Sequence, residues 1–305
     1  VFEKNGEIAL YPFLMNSVNE LGYDLNDKNY DIQGGYGYNG VVSSSYDDKF
    51  IEDFYNGFSE FCENQNIIAE FTRFHPLINN QKFSENYMEV FYDRKTVVLD
   101  LIDTYDEIWQ SDYSSKNRNM IRKGRKSLVV EISQTNDSLN EFINTYLYTM
   151  RSIEANDYYF FSKSYFQNLL NQYTFIIKVY DNQSEKLQAS MLLLIYGNYA
   201  HYHLSGRSKD CSSNAVNNFM LDEAIKFAKS KNCQFMHFGG GNTSKEEDGL
   251  LKFKKNFSST TTKFYIGKKI HNTIIYENVC QQWSWRYPKL VEKYKHILLK
   301  YRNSK

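Results

Sequence analysis

Three short stretches hold residue types that can do chemistry. In "HFGGGNTSKEEDGLLKFKKNF" (237–257), Gly239, Gly240 and Gly241 follow an apolar run and lead through an acidic turn to Lys252, Lys254 and Lys255. Lysines a few residues beyond a strand exit can clamp a diphosphate or stabilise a developing oxyanion. A charge run on a short helix is otherwise a solvated face, and the spacing of Leu250, Phe253 and Phe257 directs the lysines away from the apolar side. The glycines fit neither phosphate-loop pattern. Lys245 has no second glycine before it, and position 244 is serine where a dinucleotide loop needs glycine. They serve either a sharp exit with positive φ or a place where a substrate approaches bare backbone.

In "HYHLSGRS" (201–208), His201 and His203 alternate onto one strand face, a spacing suited to acid–base work or to a buried sheet position. The loop after them carries Arg207 and runs into a helix start, where outward amides favour an anion. "KNRNMIRKGRK" (116–126) places six basic residues in eleven. Lys116, Arg118, Arg122 and Lys123 form the best local site for RNA, a nucleotide diphosphate or a lipid head group. A helix end whose cations suit the dipole explains the same run.

The elements that must hold these residues alternate between strand and helix. Residues 7–16 read as strand, 48–62 as an amphipathic helix, and 67–74 as strand. "YMEVFYD" and "KTVVLDL" predict a hairpin turning near Asp93-Arg94. Residues 104–127 read as one helix, opened by a capping box of Thr104 and Glu107. A strand follows at 128–133, then helices at 137–154 and 164–171, strands at 173–180, 187–196 and 198–205, a helix at 215–230 and a strand at 233–238. The pattern occurs twice, so we expect an α+β fold of two related units, residues 1–134 and 135–305, the second ending in a helix.

Composition excludes several classes. The chain has 305 residues with 36 basic and 36 acidic side chains, so bulk charge selects neither nucleic acid nor acidic lipid, and any such partner must meet a local patch. Aromatic content is 17%, which fits either a Tyr/Phe-rich core or a sugar-binding platform. The four cysteines are scattered without metal spacing, as expected of reduced thiols in a cytoplasmic protein, and no metal site is expected. No apolar run reaches the ~20 residues that span a bilayer.

Taken in order, "YPFLMN", "GGYGYNG", "EFTRFHPLIN", "VVLDL" and "KNRNMIRKGRK" resemble the N-terminal half of the Fem-type branch of the GNAT acyltransferase superfamily. "HLSGRS", the 215–230 helix, "MHFGGG" and "LLKFKKNFS" look like its C-terminal half. The resemblance implies two tandem GNAT-like domains, each a mostly antiparallel mixed sheet flanked by helices. It implies acyl transfer to an amine of a cell-wall or glycan precursor, nucleotide- or lipid-linked, with acetyl-CoA or aminoacyl-tRNA as donor. The customary coenzyme A loop of acetyltransferases is absent after "HLSGRS", and no sustained heptads form a coiled-coil arm.

By position, Lys254 matches the family's "FK" lysine, which would stabilise charge at the reacting carbonyl or hold a phosphate. The "RFHP" segment has His75 where relatives often carry an acid. His75, His203 and Asp100 are the candidate bases, although substrate-assisted proton transfer needs none of them. Arg73, Tyr36, Tyr38, Arg207, Gly239, Gly240, Gly241 and Lys252 are expected to meet substrate. The rival readings are a tRNA-dependent aminoacyltransferase of peptidoglycan bridge synthesis and a non-catalytic GNAT pair that binds RNA or glycan. A monomer or weak dimer with peripheral membrane contact fits either.

Overall fold

The computed structural model describes residues 1–304 as a mixed α+β protein. The chain begins with β1 (Phe2–Lys4), β2 (Glu7–Leu10), β3 (Leu14–Ser17), β4 (Tyr30–Gln33), β5 (Val42–Ser43), α1 (Asp48–Asn64), β6 (Ile67–Arg73) and β7 (Glu89–Asp100). Next come α2 (Tyr105–Ser111), α3 (Ser115–Gly124), β8 (Leu128–Ser133), α4 (Asn136–Ser152), α5 (Lys163–Leu169), β9 (Thr174–Asp181), β10 (Leu187–Tyr196), β11 (Tyr199–Arg207), α6 (Val216–Ser230), β12 (Phe235–Gly239) and α7 (Gly249–Lys255). The last elements are β13 (Thr261–Ile270), α8 (Thr273–Arg286) and α9 (Val291–Tyr294).

The chain separates into two compact units, Val1–Arg94 together with the segment from Lys263 onward, and Lys95–Thr262. The division expected at 134/135 therefore falls inside the second unit, between β8 and α4, and the expected C-terminal helix belongs to the first. The reason is visible in the buried polar pairs. Asp31, on β4 with no exposure, accepts hydrogen bonds from Arg302 Nε at 2.6 Å and the Tyr301 hydroxyl at 2.9 Å. Burial raises the pKa of Asp31, and the Arg302 guanidinium opposes that rise. Tyr23 donates to the Tyr301 carbonyl at 2.6 Å. Tyr301 and Arg302 are thus tied to Tyr23 and Asp31, which no local composition signal records.

In the first unit β3, β4, β6 and β13 are neighbours, with β4 and β6 parallel and the other two pairs antiparallel. Helix α1 contributes Phe50, Ile51, Phe54, Tyr55, Phe58 and Cys62 to one apolar cluster. Helix α8 contributes Tyr276, Val279 and Trp283 to another. Glu70, also buried, accepts from the Tyr11 hydroxyl at 2.6 Å and pairs with His271 Nε2 at 2.8 Å.

The second unit orders its strands β7-β12-β11-β10-β9-β8. Only β11 and β12 are parallel; every other pair is antiparallel. Helix α6 buries Val216, Phe219, Met220, Ala224 and Ile225 against Met191, Leu193 and Met236 in the main core. A buried carboxylate, Asp222, ties α2 and α3 to α6: it accepts from the Tyr105 hydroxyl at 2.6 Å, the Tyr113 hydroxyl at 3.2 Å and Arg125 at 2.9 Å.

Three local expectations are corrected. The hairpin near Asp93-Arg94 is one straight strand, β7, because neither residue adopts the positive φ that a two-residue hairpin turn demands. The helix over 104–127 is two helices. The Thr104/Glu107 capping box does open α2, but Ser114 caps a new start at α3 and accepts from the Asn117 amide at 3.2 Å. The strand over 7–16 is split into β2 and β3 at Pro12, which has no amide to donate to a ladder.

Helix α4 crosses β11 at very short range. A Cβ built on Gly206 would meet the Thr145 carbonyl oxygen at 2.5 Å and Tyr146 Cα at 2.7 Å. Both are backbone, so neither can swing aside. Gly206→Ala should cost about 2 kcal/mol or more in urea unfolding, because α4 must lift from the sheet. Retention of full stability would show that this contact is not constrained.

Candidate functional site

Strands β11 and β12 pair only through Tyr199–Phe235, Ala200–Met236 and His201–His237. Beyond that point both continue, to Arg207 and Gly239, without pairing with each other, so the sheet opens into a fork. A bulge in β11 sharpens it. Leu192 of β10 faces Leu204 and Leu193 faces Tyr202, leaving His203 as the extra residue. Bulges bend a strand and re-aim a side chain.

Lys254, from α7, fills this fork. It is 6% exposed, donates from Nζ to the Gly240 carbonyl at 2.6 Å and lies 5.6 Å from the Tyr202 ring centroid. Gly239 has φ 76°, and a Cβ there would stand 3.3 Å from that Nζ. The glycine thus serves the positive-φ exit and the close approach at once. Burial lowers the lysine's pKa to about 7, with Asp248 pulling the other way. Asp248 caps α7, accepting from the Leu250 and Leu251 amides at 2.9 and 3.1 Å and from the Thr243 amide at 2.9 Å. Burial alone would raise the Asp248 pKa, but these donors hold it at about 2.

The expectation that Lys252, Lys254 and Lys255 are directed away from the apolar side of the helix is corrected for Lys254, which is buried. Leu251 and Lys254, not Leu250, are the buried positions of α7. Lys252 is exposed and paired with Glu247, outside the fork. Gly241 stands close to Asp248, where a Cβ would meet Oδ1 at 2.4 Å; it shapes the loop that orients the cap.

Histidines line the fork's base. His201 and His237 Nδ1 atoms are 2.9 Å apart, and His237 Nε2 lies 2.9 Å from Thr96 Oγ1, which in turn is 2.8 Å from Thr262 Oγ1. The Nδ1–Nδ1 bond needs one ring protonated there and the other bare, so the tautomers are complementary. His203 Nε2 bonds the Tyr165 hydroxyl of α5 at 2.8 Å, and burial lowers its pKa to about 4. His237, Thr96 and Tyr165 were not singled out from the sequence; only their tertiary neighbours mark them. The strand position of His237 directly across from His201 is a register fact that spacing along the chain does not carry.

The remaining expected residues divide by unit. Asp100 is opposite Phe235, at the end of β12 away from the fork, and its carboxylate accepts from the Ile102 amide at 2.8 Å. Arg207 is exposed at the end of β11 and braces the following loop through Cys211 Sγ at 3.2 Å and the Ser213 carbonyl at 3.0 Å. Arg118 is committed to structure, donating to the carbonyls of Trp109, Gln110 and Tyr113 at 3.1, 3.1 and 2.7 Å. Arg122 rests 5.4 Å from the Trp109 ring, Lys123 bonds Asn214 at 2.9 Å, and Lys116 is exposed. The basic run is therefore partly a helix brace.

Tyr36, Tyr38, Arg73 and His75 belong to the first unit. The Tyr38 ring sits edge-on to His75 at 5.4 Å and to Phe264 at 5.4 Å. Burial raises the Tyr38 pKa, helped by Tyr36 and opposed by Arg94 and Arg73. Arg73 also lies 5.2 Å from the Phe71 ring. His75 Nδ1 accepts from the Leu77 amide at 3.2 Å, and burial lowers its pKa to about 4.

A family model described as Acetyltransferase (GNAT) domain matches residues 111–255, a span that includes His203 and Lys254. No curated protein matches the chain in sequence. Among solved structures, FemX is similar with a TM-score of 0.68 and 14% identity, over 90% of this chain and 88% of FemX. L-PGS from Bacillus licheniformis matches with a TM-score of 0.59 and 13% identity, over 91% of this chain and 86% of that one. A C-terminal (DUF2156) domain from Agrobacterium fabrum, named as a lysylphosphatidylglycerol synthetase, matches with a TM-score of 0.58 and 13% identity, covering 88% and 84%. Residues 111–255 are thus similar to the GNAT acetyltransferase domain, and the chain shares its fold with FemX.

Proposed function

We propose that the protein transfers an acyl group, acetyl or aminoacyl, to an amine of a cell-envelope glycan or peptidoglycan precursor. The observation that carries this reading is the Lys254 amine, buried in the sheet fork with a pKa of about 7. A cation held in a dry setting stabilises a developing oxyanion far better than one in water. As the acceptor nitrogen attacks the donor carbonyl, a C–N bond forms and the carbonyl electrons move to oxygen, where the Lys254 ammonium donates a hydrogen bond. Collapse breaks the C–S bond of a thioester or the C–O bond of an ester, and the leaving group departs with a proton. His203, neutral above about pH 4, is the base we assign to the attacking amine, with the Tyr165 hydroxyl fixing its ring.

The acceptor class and cytoplasmic setting rest on the resemblance to FemX and on the name lysylphosphatidylglycerol synthetase borne by another fold relative, which denotes an aminoacylated lipid. Among the described residues no helix is long and apolar enough to cross a membrane. The donor is decided by experiment. Protein incubated with radiolabelled acetyl-CoA and amino-sugar acceptors, or with charged tRNA and muropeptide acceptors, should transfer label in one arm. Absence of transfer in both arms, together with RNA or glycan binding, would return the protein to the non-catalytic reading.

Lys254→Ala should lower kcat by about 100-fold or more, the usual cost of an oxyanion donor, with the native circular dichroism spectrum retained. Lys254→Arg tests the charge itself. The wild-type rate should fall as pH rises through about 7, where the ammonium deprotonates, whereas the guanidinium stays charged. An alkaline limb unmoved by the Arg variant would remove Lys254 from the oxyanion role.

The same shift acts on stability. The lysine's pKa falls from 10.5 to about 7 on folding, so between those values the unfolded chain holds the extra proton. Stability of the wild type relative to Lys254→Met should therefore rise with pH from about 7 toward 10.5 in urea titrations. A flat difference would mean that the amine is solvated. Finally, His203→Ala should lower kcat about 100-fold, and Tyr165→Phe by less. Equal, small losses in both would favour proton transfer by the substrate.

A further inference from the structure

The last twenty residues have a composition unlike the rest. Residues 286–305 hold seven lysines and arginines against one acid, Glu292, while the chain as a whole is neutral, so the preceding 285 residues are net acidic. Two of these cations are spent on structure: Arg302 on Asp31, and Arg286 on the Leu21 and Gly22 carbonyls. Lys289, Lys293 and Lys295 are exposed. Lys295 engages only the exposed Glu292, and such a pair is weak in water.

Beside these lysines the first unit exposes apolar side chains that a solvated surface does not need. Helix α8 carries large apolar side chains on two opposite sides. Tyr276, Val279 and Trp283 form its buried stripe. Ile274, Asn278, Gln281 and Trp285, spaced four, three and four residues apart, share the other side. Ile274 is 80% exposed and Trp285 71%. A groove of about 860 Å³ runs along this side, with Ile274, Asn278 and Gln281 on one wall and Val291, Lys295 and Lys300 on the other. Val291 and Ile297 add further exposed aliphatic surface from the facing segment.

We propose that this face of the first unit docks on an anionic lipid bilayer. Lysines above a negative surface gain electrostatic attraction, Trp285 suits the headgroup boundary, and Ile274, Val291 and Ile297 reach into the acyl region. An RNA partner would use the lysines and Trp285 but would leave three aliphatic side chains uncovered, which is why the bilayer is the occupant that fits. Glu277 and Glu292 are the acids on this face and set a limit on its attraction. The surface lies wholly within the first unit, and its test reads binding alone, independent of any acyl donor.

The experiment is co-sedimentation of the full chain with vesicles of phosphatidylcholine alone or mixed equally with phosphatidylglycerol. Binding should require phosphatidylglycerol and weaken as salt is raised. Ile274→Ser with Trp285→Ser, both exposed positions, should weaken it about fivefold or more, as should Lys289→Glu with Lys295→Glu. Circular dichroism and the urea midpoint of each variant should match the parent. Brominated acyl chains should quench the parent's tryptophan emission and spare the Trp285→Ser variant, since Trp283 is buried. Equal sedimentation with both vesicle types, or variants that bind like the parent, overturns the proposal. It is equally overturned if tRNA binds and these variants weaken it while vesicles do not sediment the protein.

Discussion

An ammonium group kept out of water is the constraint around which the second unit is arranged. Lys254 has one backbone carbonyl and one aromatic ring for company, and the desolvation that lowers its pKa is a standing cost to the fold. Nothing in packing alone asks for it, since a methionine would fill the same space. The surrounding features all serve to hold that amine: the parallel strands that part after three pairs, the bulge at His203, the left-handed Gly239, and the Asp248 cap that sets α7 at its angle. Local rules are broken together at one place, which is where function is expected to sit.

The polar groups of the unit divide by role. Asp222 and Lys178 are buried ions with full sets of partners: Asp222 with two tyrosines and Arg125, Lys178 with Glu131 and Glu141 at 2.9 and 2.8 Å. They join elements and face no opening strand pair. Lys254 differs in having no carboxylate within salt-bridge distance among the described residues, and His203 in standing on a bulge. Burial lowers both pKa values, that of Lys254 to about 7 and that of His203 to about 4, and both groups border the fork.

Much of the framework was legible. Apolar runs located β8 and β10 to the residue or nearly so, the 3.6-residue period located α1 and α6, and Thr104 with Glu107 marked the start of α2. What failed did so for tertiary reasons. Asp93-Arg94 looks like a turn because it is charged between apolar runs, yet charge does not supply positive φ, and β7 runs through. Lys254 looks solvated because lysines usually are, and only the partner strands reveal a place that can take its amine. The unit boundary left no trace in composition because the crossing points lie inside strands, with no linker. The basic C-terminal segment was in plain view, but the balanced total charge hid it. Lys254 itself was legible only through its match to the family's "FK" lysine, and His203 as one of two alternating histidines.

The first unit is built from the two ends of the chain, with the second unit inserted between them. On a ribosome residues Val1–Arg94 must therefore wait. Strand β6 lacks its neighbour β13 until Ile270 has emerged, and Asp31 lacks Arg302 until later still. The inserted unit, continuous in sequence, is complete at Thr262, before β13 ends at Ile270 and before Arg302. Synthesis order thus inverts sequence order: the fork can close around Lys254 while the N-terminal strands still present an unfinished sheet edge, the state in which edge pairing with another chain is the main hazard.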